Sequence, residues 1–432
     1  MWKKTLMPKV LIPVMACLYS LSIFANIPTM SFPSLDYYQV AKQEQSIERK
    51  GEAPRYAIPH EVQLNAQQKQ MNWQIQGDVA VWKHRFQAPK SKSLNFGFDQ
   101  FYLPQGAELK IYSRDFRQQM RTITSEDNKA HGEFWSPVIE ADDVIMELTA
   151  PVESISQVKF NLIHVGQGFR TFGTPRTSRS GSCNRDVSCE EAQGWEKEIN
   201  AVGVISTGGS RFCSGFMVNN TAQDRAPLFM TANHCRINAS SAARLVVYWN
   251  YQRSECGNRR VNGSLDQWQS GSTLLASGRI SDFTLVRLDE SPKEEWNVSY
   301  AGWDRRGINA TTSVAIHHPR VSEKSISFSH RETALTTYLG RNELPGDEAT
   351  HVMVEDWDTG TTEPGSSGSP LFDQDHRVIG QLHGGYAACG NDREDWYGRF
   401  AYSWDAGEND EDRLAPHLDP VESGLEFIDS IQ

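Results

Sequence analysis

The segment EPGSSGSP at residues 363–370 places Ser367 between glycines in a tight loop, directly before a short apolar run. Two earlier segments accompany it. LFMTANHC, at residues 228–235, is an apolar strand pattern that ends in His234 beside a cysteine. SDFTLVRL, at residues 281–288, has Asp282 directly ahead of alternating apolar positions. Short strand patterns of this kind, with many glycines between them, predict a barrel-type β domain.

These three residue types suit acyl transfer. A serine hydroxyl is a weak nucleophile at neutral pH, so an imidazole, here that of His234, must take its proton. A buried carboxylate such as Asp282 fixes the tautomer of that imidazole. Glycines beside the nucleophile allow backbone N–H groups to face the developing oxyanion, and the natural donors are those of Gly365 and Ser367. We therefore predict a serine hydrolase with His234, Asp282 and Ser367 as its catalytic residues.

Other hydrolase classes fit the sequence less well. The order His, Asp, Ser is that of the chymotrypsin arrangement. An α/β-hydrolase elbow requires G-x-S-x-G followed by the acid and then the histidine, but the fifth position here is Ser369 and both partners come earlier. Paired aspartate loops of an aspartic protease are not evident. A catalytically silent binding module on a protease scaffold is the alternative from a different functional class.

Composition and the N-terminus point to export. A formal net charge of −11 argues against a nucleic-acid partner held through phosphates. Three lysines precede the apolar run VLIPVMACLYSLSIFA at residues 10–25, which is typical of a signal peptide. That run is short for a membrane span and contains Pro13, so we expect no stable membrane association. A retained anchor, or lipidation of Cys17, stays open as an alternative.

Cysteine usage agrees with an oxidising compartment. Of seven cysteines, one lies in the apolar N-terminal run and the other six all lie after residue 180, which suggests disulfides whose pairing the count alone leaves open. The cysteines lack C-x-x-C spacing, so no metal is predicted. His317 and His318 are adjacent on a predicted strand and would point to opposite faces, which favours a structural role over a shared ion. No cofactor is expected.

The chain divides into an N-terminal and a C-terminal β-rich part. Alternating patterns from about residue 61 to 170 predict a cysteine-free β-sandwich, preceded by a polar arm over residues 26 to about 60. Residues 166–181 are rich in Gly, Ser, Thr and Arg and predict a protease-sensitive linker. Strand patterns continue to the C-terminus, where Leu425, Ile428 and Ile431 have helix-like spacing and predict a terminal helix.

The C-terminal part resembles the bacterial lysyl endopeptidases of the chymotrypsin superfamily. The likeness extends from residue 181 to about residue 431. It rests on GSCNRDVSC, CSGFMVNNTAQDRAPLFMTANHC, VVYWNYQ, SDFTLVRL, AGWDRRG, IHHP, TEPGSSGSP, VIGQLHGG and DREDWYGR. The part before the linker is similar to that group's propeptide. The resemblance therefore implies three segments: a signal peptide at residues 1–25, a β-rich propeptide at 26–177 and a chymotrypsin-like double β-barrel protease at 178–432.

The resemblance also implies further site residues. It assigns Asp395 to the floor of the primary specificity pocket, where a substrate ammonium needs a paired carboxylate. It places His383, Gly384 and Gly385 along the substrate-binding site. The disulfides it implies are Cys183–Cys389, Cys189–Cys256 and Cys213–Cys235. The implied function is a secreted, zymogen-derived endopeptidase that cleaves after lysine, with arginine left open. It would be monomeric when mature, would pass through the periplasm if the source is Gram-negative, and would have proteins, peptides and its own propeptide as partners.

Three features depart from well-known patterns. Trypsin carries its pocket acid six residues before the nucleophile, where this chain has Thr361. Ser366 replaces the aspartate with which trypsin binds its new N-terminus, as in the lysyl group. The family also pairs its pocket histidine with a tryptophan, for which Tyr338 is the nearest counterpart. Since the linker contains arginines but no lysine after Lys159, release requires either another protease or acceptance of arginine.

Overall fold

A computed structural model describes residues 27–48, 52–65, 71–170, 181–258 and 263–432. Two sheets form its N-terminal part. The first has the strand order β1 (Thr29–Ser31), β4 (Val79–Gln87), β8 (Asp143–Pro151), β6 (Glu108–Ser113), with β3 (Gln74–Gln76) also paired to β4. The second has the order β2 (Ala57–Asn65), β9 (Lys159–Gly168), β5 (Ser93–Tyr102), β7 (Phe134–Trp135). Helix α1 (Tyr37–Glu48) precedes β2.

These two sheets pack face to face as the predicted sandwich. Side chains alternate along a strand, so one face of each sheet can be apolar. In β4, Trp82 and Phe86 are buried in the core that also contains Phe96 of β5 and Phe160 of β9. Aromatic rings contact one another across this core, as in the Phe86–Phe96 pair with centroids 4.9 Å apart.

Two further sheets form the C-terminal part. The first has the order β15 (Trp268–Ser270), β14 (Val246–Tyr248), β11 (Val202–Thr207), β12 (Arg211–Met217), β13 (Leu228–Ala232), β17 (Phe283–Leu288), β16 (Ser272–Gly278). The second has the order β10 (Arg185–Asp186), β20 (Ser325–Ser329), β19 (Ser313–His317), β23 (Pro370–Phe372), β24 (Val378–Gly385), β25 (Asp395–Arg399), β22 (His351–Val354), β21 (Ala334–Thr336). Strands β18 (Trp303–Asp304) and β26 (Phe427–Ile428) join the second sheet through β24, and the short helices are α2 (Glu196–Ala201), α3 (Phe400–Asp405) and α4 (Ala415–Leu418).

Each C-terminal sheet has its own apolar cluster, and a third cluster joins them. Phe229, Val247 and Trp249 belong to the cluster of the first sheet. Val352 and Tyr397 belong to that of the second. The joining cluster contains residues of both sheets, among them Phe216, Met230, Trp303, Ile316 and Phe372. The all-β, chymotrypsin-like double-barrel prediction is therefore confirmed.

The sequence-based predictions fail at three places outside the barrels. Helix α1 occupies part of the segment predicted as a polar arm, with Val40 buried against Leu35 and Phe169. The predicted C-terminal helix is wrong. Strand β26 pairs with β18 and Ile431 forms a bridge with Tyr300, so backbone pairing overrides the helix-like spacing. Residues 166–168, predicted as linker, belong to strand β9. The signal peptide, Cys17 and residues 171–180 lie outside the described residues.

The N-terminal sandwich and the first barrel share one apolar core. Val204, Phe212, Tyr248 and Trp268 of the barrel belong to the same cluster as the sandwich core. Such continuity makes the two parts one packed unit. Among the residues that the structure describes, none of the helices has both the length and the apolar character needed to cross a bilayer.

Candidate active site

Two hydrogen bonds join His234 to Asp282, and a third joins Asp282 to the neighbouring Asn233. His234 follows β13 in a single 3-10 turn, and Asp282 directly precedes β17, the neighbour of β13. The imidazole Nδ1 lies 2.6 Å from Asp282 Oδ2, and the His234 backbone N–H donates to Oδ1 at 2.9 Å. The Asn233 N–H donates to the Asp282 carbonyl at 2.8 Å. Because Asp282 is only 3% exposed, its carboxylate holds the ring in one orientation and one tautomer.

Ser367 lies in the loop before β23, and it lines the same pocket as His234, of about 180 Å³. The Ser367 carbonyl accepts from Ser214 N–H at 2.8 Å, and Gly368 N–H donates to Leu382 O at 2.8 Å. Within the residues that the structure describes, no hydrogen bond joins Ser367 Oγ to His234. The backbone N–H groups of Gly365 and Ser367 likewise have no hydrogen-bond partner among the described residues. They are therefore available to an incoming carbonyl oxygen.

Gly365 is required by the shape of this loop. Its φ is +103°, and a Cβ at this position would lie 2.1 Å from Phe212 Cε2. Only glycine combines that backbone conformation with so close an approach. Residues 363–369 contain the predicted nucleophile Ser367, and we call them the nucleophile loop. This loop therefore packs closely against the start of β12.

A buried histidine fixes Ser366, the residue next to Ser367. His317 Nδ1 lies 2.7 Å from Ser366 Oγ, and its Nε2 lies 3.1 Å from Ser327 Oγ. Burial lowers the pKa of His317 to about 3, so the ring is neutral. Its neighbour His318 is bonded through Nδ1 to Ser322 O instead, at 3.0 Å. The two adjacent rings thus serve separate structural contacts.

Glu363 links the nucleophile loop to the start of the C-terminal part. Its Oε2 accepts from the Gly181 backbone N–H at 2.7 Å and from Asn184 Nδ2 at 2.8 Å. Its Oε1 accepts from Arg320 Nε at 2.8 Å. The chain that follows the predicted linker is therefore attached directly to the loop that carries Ser367.

The C-terminal part contains three disulfides, and they are the pairs that the resemblance implies. Cys213–Cys235 joins β12 to the turn that carries His234. Cys183–Cys389 joins the start of the C-terminal part to the loop between β24 and β25, and Cys189–Cys256 lies outside the pocket lining. Because Cys213 and Cys235 form a disulfide, their sulfurs are not available as metal ligands.

Asp395 is a buried carboxylate without a cationic partner among the described residues. It is 1% exposed, and its Oδ2 accepts from Trp357 Nε1 and from Thr362 Oγ1, both at 2.8 Å. Oδ1 has no hydrogen bond of normal geometry, although the Ala387 N–H faces the carboxylate. Burial raises the pKa of Asp395 to about 6.

Glycines of β24 bring the pocket close to that carboxylate. A Cβ on Gly385 would lie 2.2 Å from Asp395 Oδ1. Gly384 and Gly385 line the pocket together with Thr362 and Leu382. Three of the predicted specificity residues, His383, Gly384 and Gly385, therefore line one cavity, and Asp395 Oδ1 lies directly behind Gly385. Thr362 lies inside the quoted TEPGSSGSP segment, whereas nothing in the sequence marks Trp357 as a second anchor.

A row of aromatic rings extends from His234. Tyr338 stacks on His383 with centroids 3.6 Å apart, and His383 Nε2 lies 3.8 Å from Asp282 Oδ2. On its other side, His383 Nδ1 is bonded to His351 Nε2 at 2.9 Å. Burial lowers the pKa of His383 to about 4 and that of His351 to about 3, so both rings are neutral. In their hydrogen bond, one of the two facing nitrogens, His383 Nδ1 or His351 Nε2, therefore carries the proton and the other accepts it. Sequence reasoning named Tyr338 and His383 and missed His351.

A cluster of two histidines and one aspartate in the same pocket region as Ser367 has the composition of a metal site. His234, Asp282 and His383 each offer a ligand atom, and these atoms lie within 4.8 Å of one another. Asp282 is already bonded to His234 through both carboxylate oxygens. The cluster thus coincides with the predicted catalytic residues and needs no ion to explain its geometry.

In comparisons with known proteins, both parts of the chain match models of one protein family. The family model described as lysyl endopeptidase, C-terminal domain, matches residues 177–398, and that of the lysyl endopeptidase N-terminal domain matches residues 31–165. A lysyl endopeptidase of Pseudomonas aeruginosa is 30% identical over 306 residues, which are 64% of this chain and 63% of that protein. The chain thus spans less than two thirds of that relative.

Solved structures of similar shape are more distant in sequence. A Glu endopeptidase is 16% identical, covering 51% of this chain and 92% of that chain at a TM-score of 0.33. A protease of M. tuberculosis in its active form is also 16% identical, covering 53% and 86% at a TM-score of 0.32. The two family models, which match the sandwich and the double barrel separately, carry the assignment. On that basis, the chain belongs to the lysyl endopeptidase family.

Proposed function

We propose that this protein is a secreted serine endopeptidase that cleaves peptide bonds after lysine. The observation that carries the proposal is the 2.6 Å contact between His234 Nδ1 and Asp282 Oδ2, in the pocket that Ser367 also lines. A neutral imidazole held in this way presents Nε2 as a base toward the pocket. Membership of the family supports the same activity.

The reaction begins with attack of Ser367 Oγ on the carbonyl carbon of the scissile bond. His234 Nε2 takes the hydroxyl proton as the C–O bond forms, and Asp282 stabilises the resulting imidazolium. The oxyanion accepts from the N–H groups of Gly365 and Ser367. These groups cost no reorganisation at that moment because the nucleophile loop is already fixed.

The intermediate then collapses and the enzyme is regenerated. The C–N bond breaks, the leaving amine takes the proton from His234, and an acyl ester on Ser367 remains. Water attacks this ester while His234 again accepts a proton. Breakdown of the second intermediate returns that proton to Ser367 Oγ and releases the carboxylic acid.

Asp395 supports specificity for a basic residue before the scissile bond. A buried carboxylate without a cation is unfavourable by itself, and a substrate ammonium would compensate for its burial. The substrate side chain would pass between the nucleophile loop and the glycines of β24 to reach Oδ1.

The hydrogen bonds of Asp395 favour lysine over arginine. Trp357 and Thr362 already occupy Oδ2, which leaves a single oxygen for the substrate. An ammonium needs only one such acceptor, whereas a guanidinium binds a carboxylate best through two parallel hydrogen bonds. Arginine would therefore be accepted with a weaker interaction.

The remaining parts of the proposal concern biosynthesis. The three disulfides suit an oxidising, extracellular location, and the N-terminal sequence is typical of a signal peptide. We propose that residues 26–177 form a propeptide which is separated from the protease, residues 178–432, by cleavage in the linker. The shared core of sandwich and barrel supports a role of that propeptide in folding.

Substitution of the nucleophile tests the mechanism. Ser367→Ala is expected to lower turnover of a lysyl peptide by about four to six orders of magnitude without changing the fold, because the Ser367 hydroxyl makes no hydrogen bond with the part of the chain that the structure describes. Ser264→Ala, at an exposed serine, is the matched control. A fluorophosphonate probe is expected to label the parent and the control, but not Ser367→Ala. Absence of label in the processed parent would instead favour the catalytically silent module.

A further inference from the structure

Residues 52–57 of the N-terminal part lie along the start of β12 like an additional strand. Phe212 N–H donates to Pro54 O at 3.1 Å, and Tyr56 N–H donates to Ser210 O at 2.8 Å. Arg55 and Arg211 form an antiparallel bridge. Strand β12 pairs with β13 only at Phe216 and Met217, so the edge at its start is open to a peptide. This edge binds an extended chain by backbone pairing, as in β-strand addition.

A carboxylate at the beginning of this segment lies between two arginines. Glu52 Oε2 is 3.4 Å from Arg211 Nη2 and 3.2 Å from Arg236 Nη2. Arg211 Nη1 also donates to Ala53 O at 2.9 Å. The pKa of Arg211 is lowered by its burial first and then by the nearby charge of Arg236, with Glu52 opposing the shift. The two guanidinium groups thus repel each other unless an anion lies between them.

This contact lies at the edge of the candidate active site. Glu52 and Pro54 line the same pocket as His234 and Ser367. Arg236 directly follows Cys235, which the disulfide ties to Cys213 in β12. Asp395, the proposed specificity carboxylate, is the first residue of β25 and lies next to Gly385 of β24, which lines the pocket. In a bound substrate the lysine would enter toward β24, and the residues after the scissile bond would continue past His234, which protonates the leaving amine. Those residues would therefore extend toward Arg211 and Arg236.

We propose that Arg211 and Arg236, with the open edge of β12, form a leaving-group-side subsite for an acidic residue of an extended peptide. Glu52 occupies this subsite in the precursor and blocks it. After the propeptide has left, the same arginine pair selects substrates that carry Asp or Glu shortly after the scissile bond. This inference rests on the proposed endopeptidase function and names an additional specificity of the same site.

The substrate preference can be measured on enzyme matured from the full-length chain. Lysyl peptides that carry Glu, Gln or Lys at the first to third positions after the scissile bond are compared by kcat/KM. At one of these positions Glu is expected to exceed Gln by roughly threefold to tenfold, because a partly desolvated ion pair replaces a neutral contact. Raised salt is expected to reduce the preference.

Charge variants identify the residues responsible. Arg236→Gln and Arg211→Gln are each expected to lower the preference for Glu, and Arg236→Glu is expected to reverse it toward Lys. Arg287→Gln, at an exposed arginine of β17, is the matched control and is expected to keep it. Equal preference in the parent and all variants would overturn the proposal.

A lysyl ester with a small alcohol leaving group separates this proposal from the proposed function. It has no residues after the scissile bond, so the parent, Arg236→Gln and Arg287→Gln are expected to hydrolyse it at the same rate. If no enzyme hydrolyses the ester, the endopeptidase proposal fails. If all hydrolyse it but no acidic preference is found with peptides, only the subsite is refuted.

The precursor provides an independent readout. In the full-length chain, Glu52→Gln is expected to increase hydrolysis of the peptide substrate before linker cleavage, because the blocking segment loses its ion pairs with Arg211 and Arg236. Glu61→Gln, at an exposed residue of β2, is the control. Identical residual activity in the two precursors would show that Glu52 does not block the subsite.

Discussion

At the scale of single residues, Asp395 is a buried carboxylate that has no cationic partner within the described part of the chain. Raising the pKa of a carboxyl group from 3.8 to about 6 costs the folded state on the order of 3 kcal/mol at neutral pH. This penalty is present above pH 6 and is relieved as the pH falls and the group becomes protonated. Removing the charge is therefore expected to stabilise the protein even though it removes the proposed binding partner of the substrate.

Asp395→Asn is expected to have opposite effects on activity and stability. The kcat/KM for lysyl peptides is expected to fall by about 100-fold or more, because the substrate ammonium loses its buried partner. The urea midpoint of the full-length Ser367→Ala chain at pH 7 is expected to rise when Asp395→Asn is added, since Asn Oδ1 can still accept from Trp357 and Thr362. Asp392→Asn, at an exposed acid of the same loop, is the control. Lower stability together with unchanged lysine cleavage would contradict the proposed role.

The aromatic face of Tyr338 supports His383, whose Nε2 lies 3.8 Å from Asp282 Oδ2. Aromatic stacking contributes about 0.5–1.5 kcal/mol beyond simple burial. Tyr338→Ala is therefore expected to lower kcat by roughly threefold to tenfold with little change in KM, whereas Tyr338→Phe is expected to retain the parent kcat because the ring remains. A loss of equal size in both variants, measured on the same lysyl peptide, would assign the effect to the hydroxyl instead.

At the scale of elements, the nucleophile loop depends on a close approach to β12. Gly365→Ala is expected to lower kcat by about 100-fold or more, since displacement of the Gly365 N–H removes one oxyanion donor. Gly194→Ala is the matched control, because its φ of +89° carries the same backbone strain but its Cβ would meet open space. Comparison of kcat for the two variants separates the steric clash with Phe212 from backbone strain. Equal losses would indicate strain alone.

The sequence predicts elements well where pattern and chemistry coincide. The segment 281–288 predicts strand β17 directly after Asp282, because alternating apolar residues are typical of a strand, and in the structure every residue of β17 except Arg287 is buried. It fails where partners are remote. Residues 427–428 form a strand only because β18 is available, more than a hundred positions earlier. Likewise, the contacts of Glu52 with Arg211 and Arg236 arise from folding of two distant segments, which no local pattern encodes.

At the scale of the whole molecule, the sandwich is docked on the first barrel through polar contacts around the shared core. Tyr56 OH lies 2.8 Å from Ser206 Oγ, and Val138 N–H donates to Tyr248 OH at 3.0 Å. Gly209, in the β11–β12 hairpin, has no room for a Cβ, which would lie 2.7 Å from His164 Nε2. Separation of the two parts would therefore expose apolar surface and a histidine that is otherwise buried.

His164 makes this docking sensitive to acid. Burial lowers its pKa to about 4, with smaller contributions from His60 and Arg244 in the same direction and an opposing one from the Gly209 backbone. A histidine with a lowered folded-state pKa contributes full stability above its usual value of about 6.5, and this contribution is lost as the pH falls toward 4. A second histidine lies at the same interface, where His131 Nε2 is 2.8 Å from Asp289 Oδ2. Substitution of His164 is therefore needed to isolate its contribution.

Urea unfolding of the full-length Ser367→Ala chain at pH 7.5 and pH 4.5 provides the measurement. Between these values, the parent is expected to lose about 2–3 kcal/mol more unfolding free energy than the His164→Gln variant, which cannot gain a proton at this position. His330→Gln, at an exposed histidine paired with Asp358, is expected to behave like the parent. The same pH dependence in the parent and His164→Gln would show that protonation of His164 does not drive acid release of the sandwich. A difference confined to His164→Gln would locate the acid-sensitive contact between the N-terminal sandwich and the β11–β12 hairpin, next to the proposed subsite that Glu52 occupies.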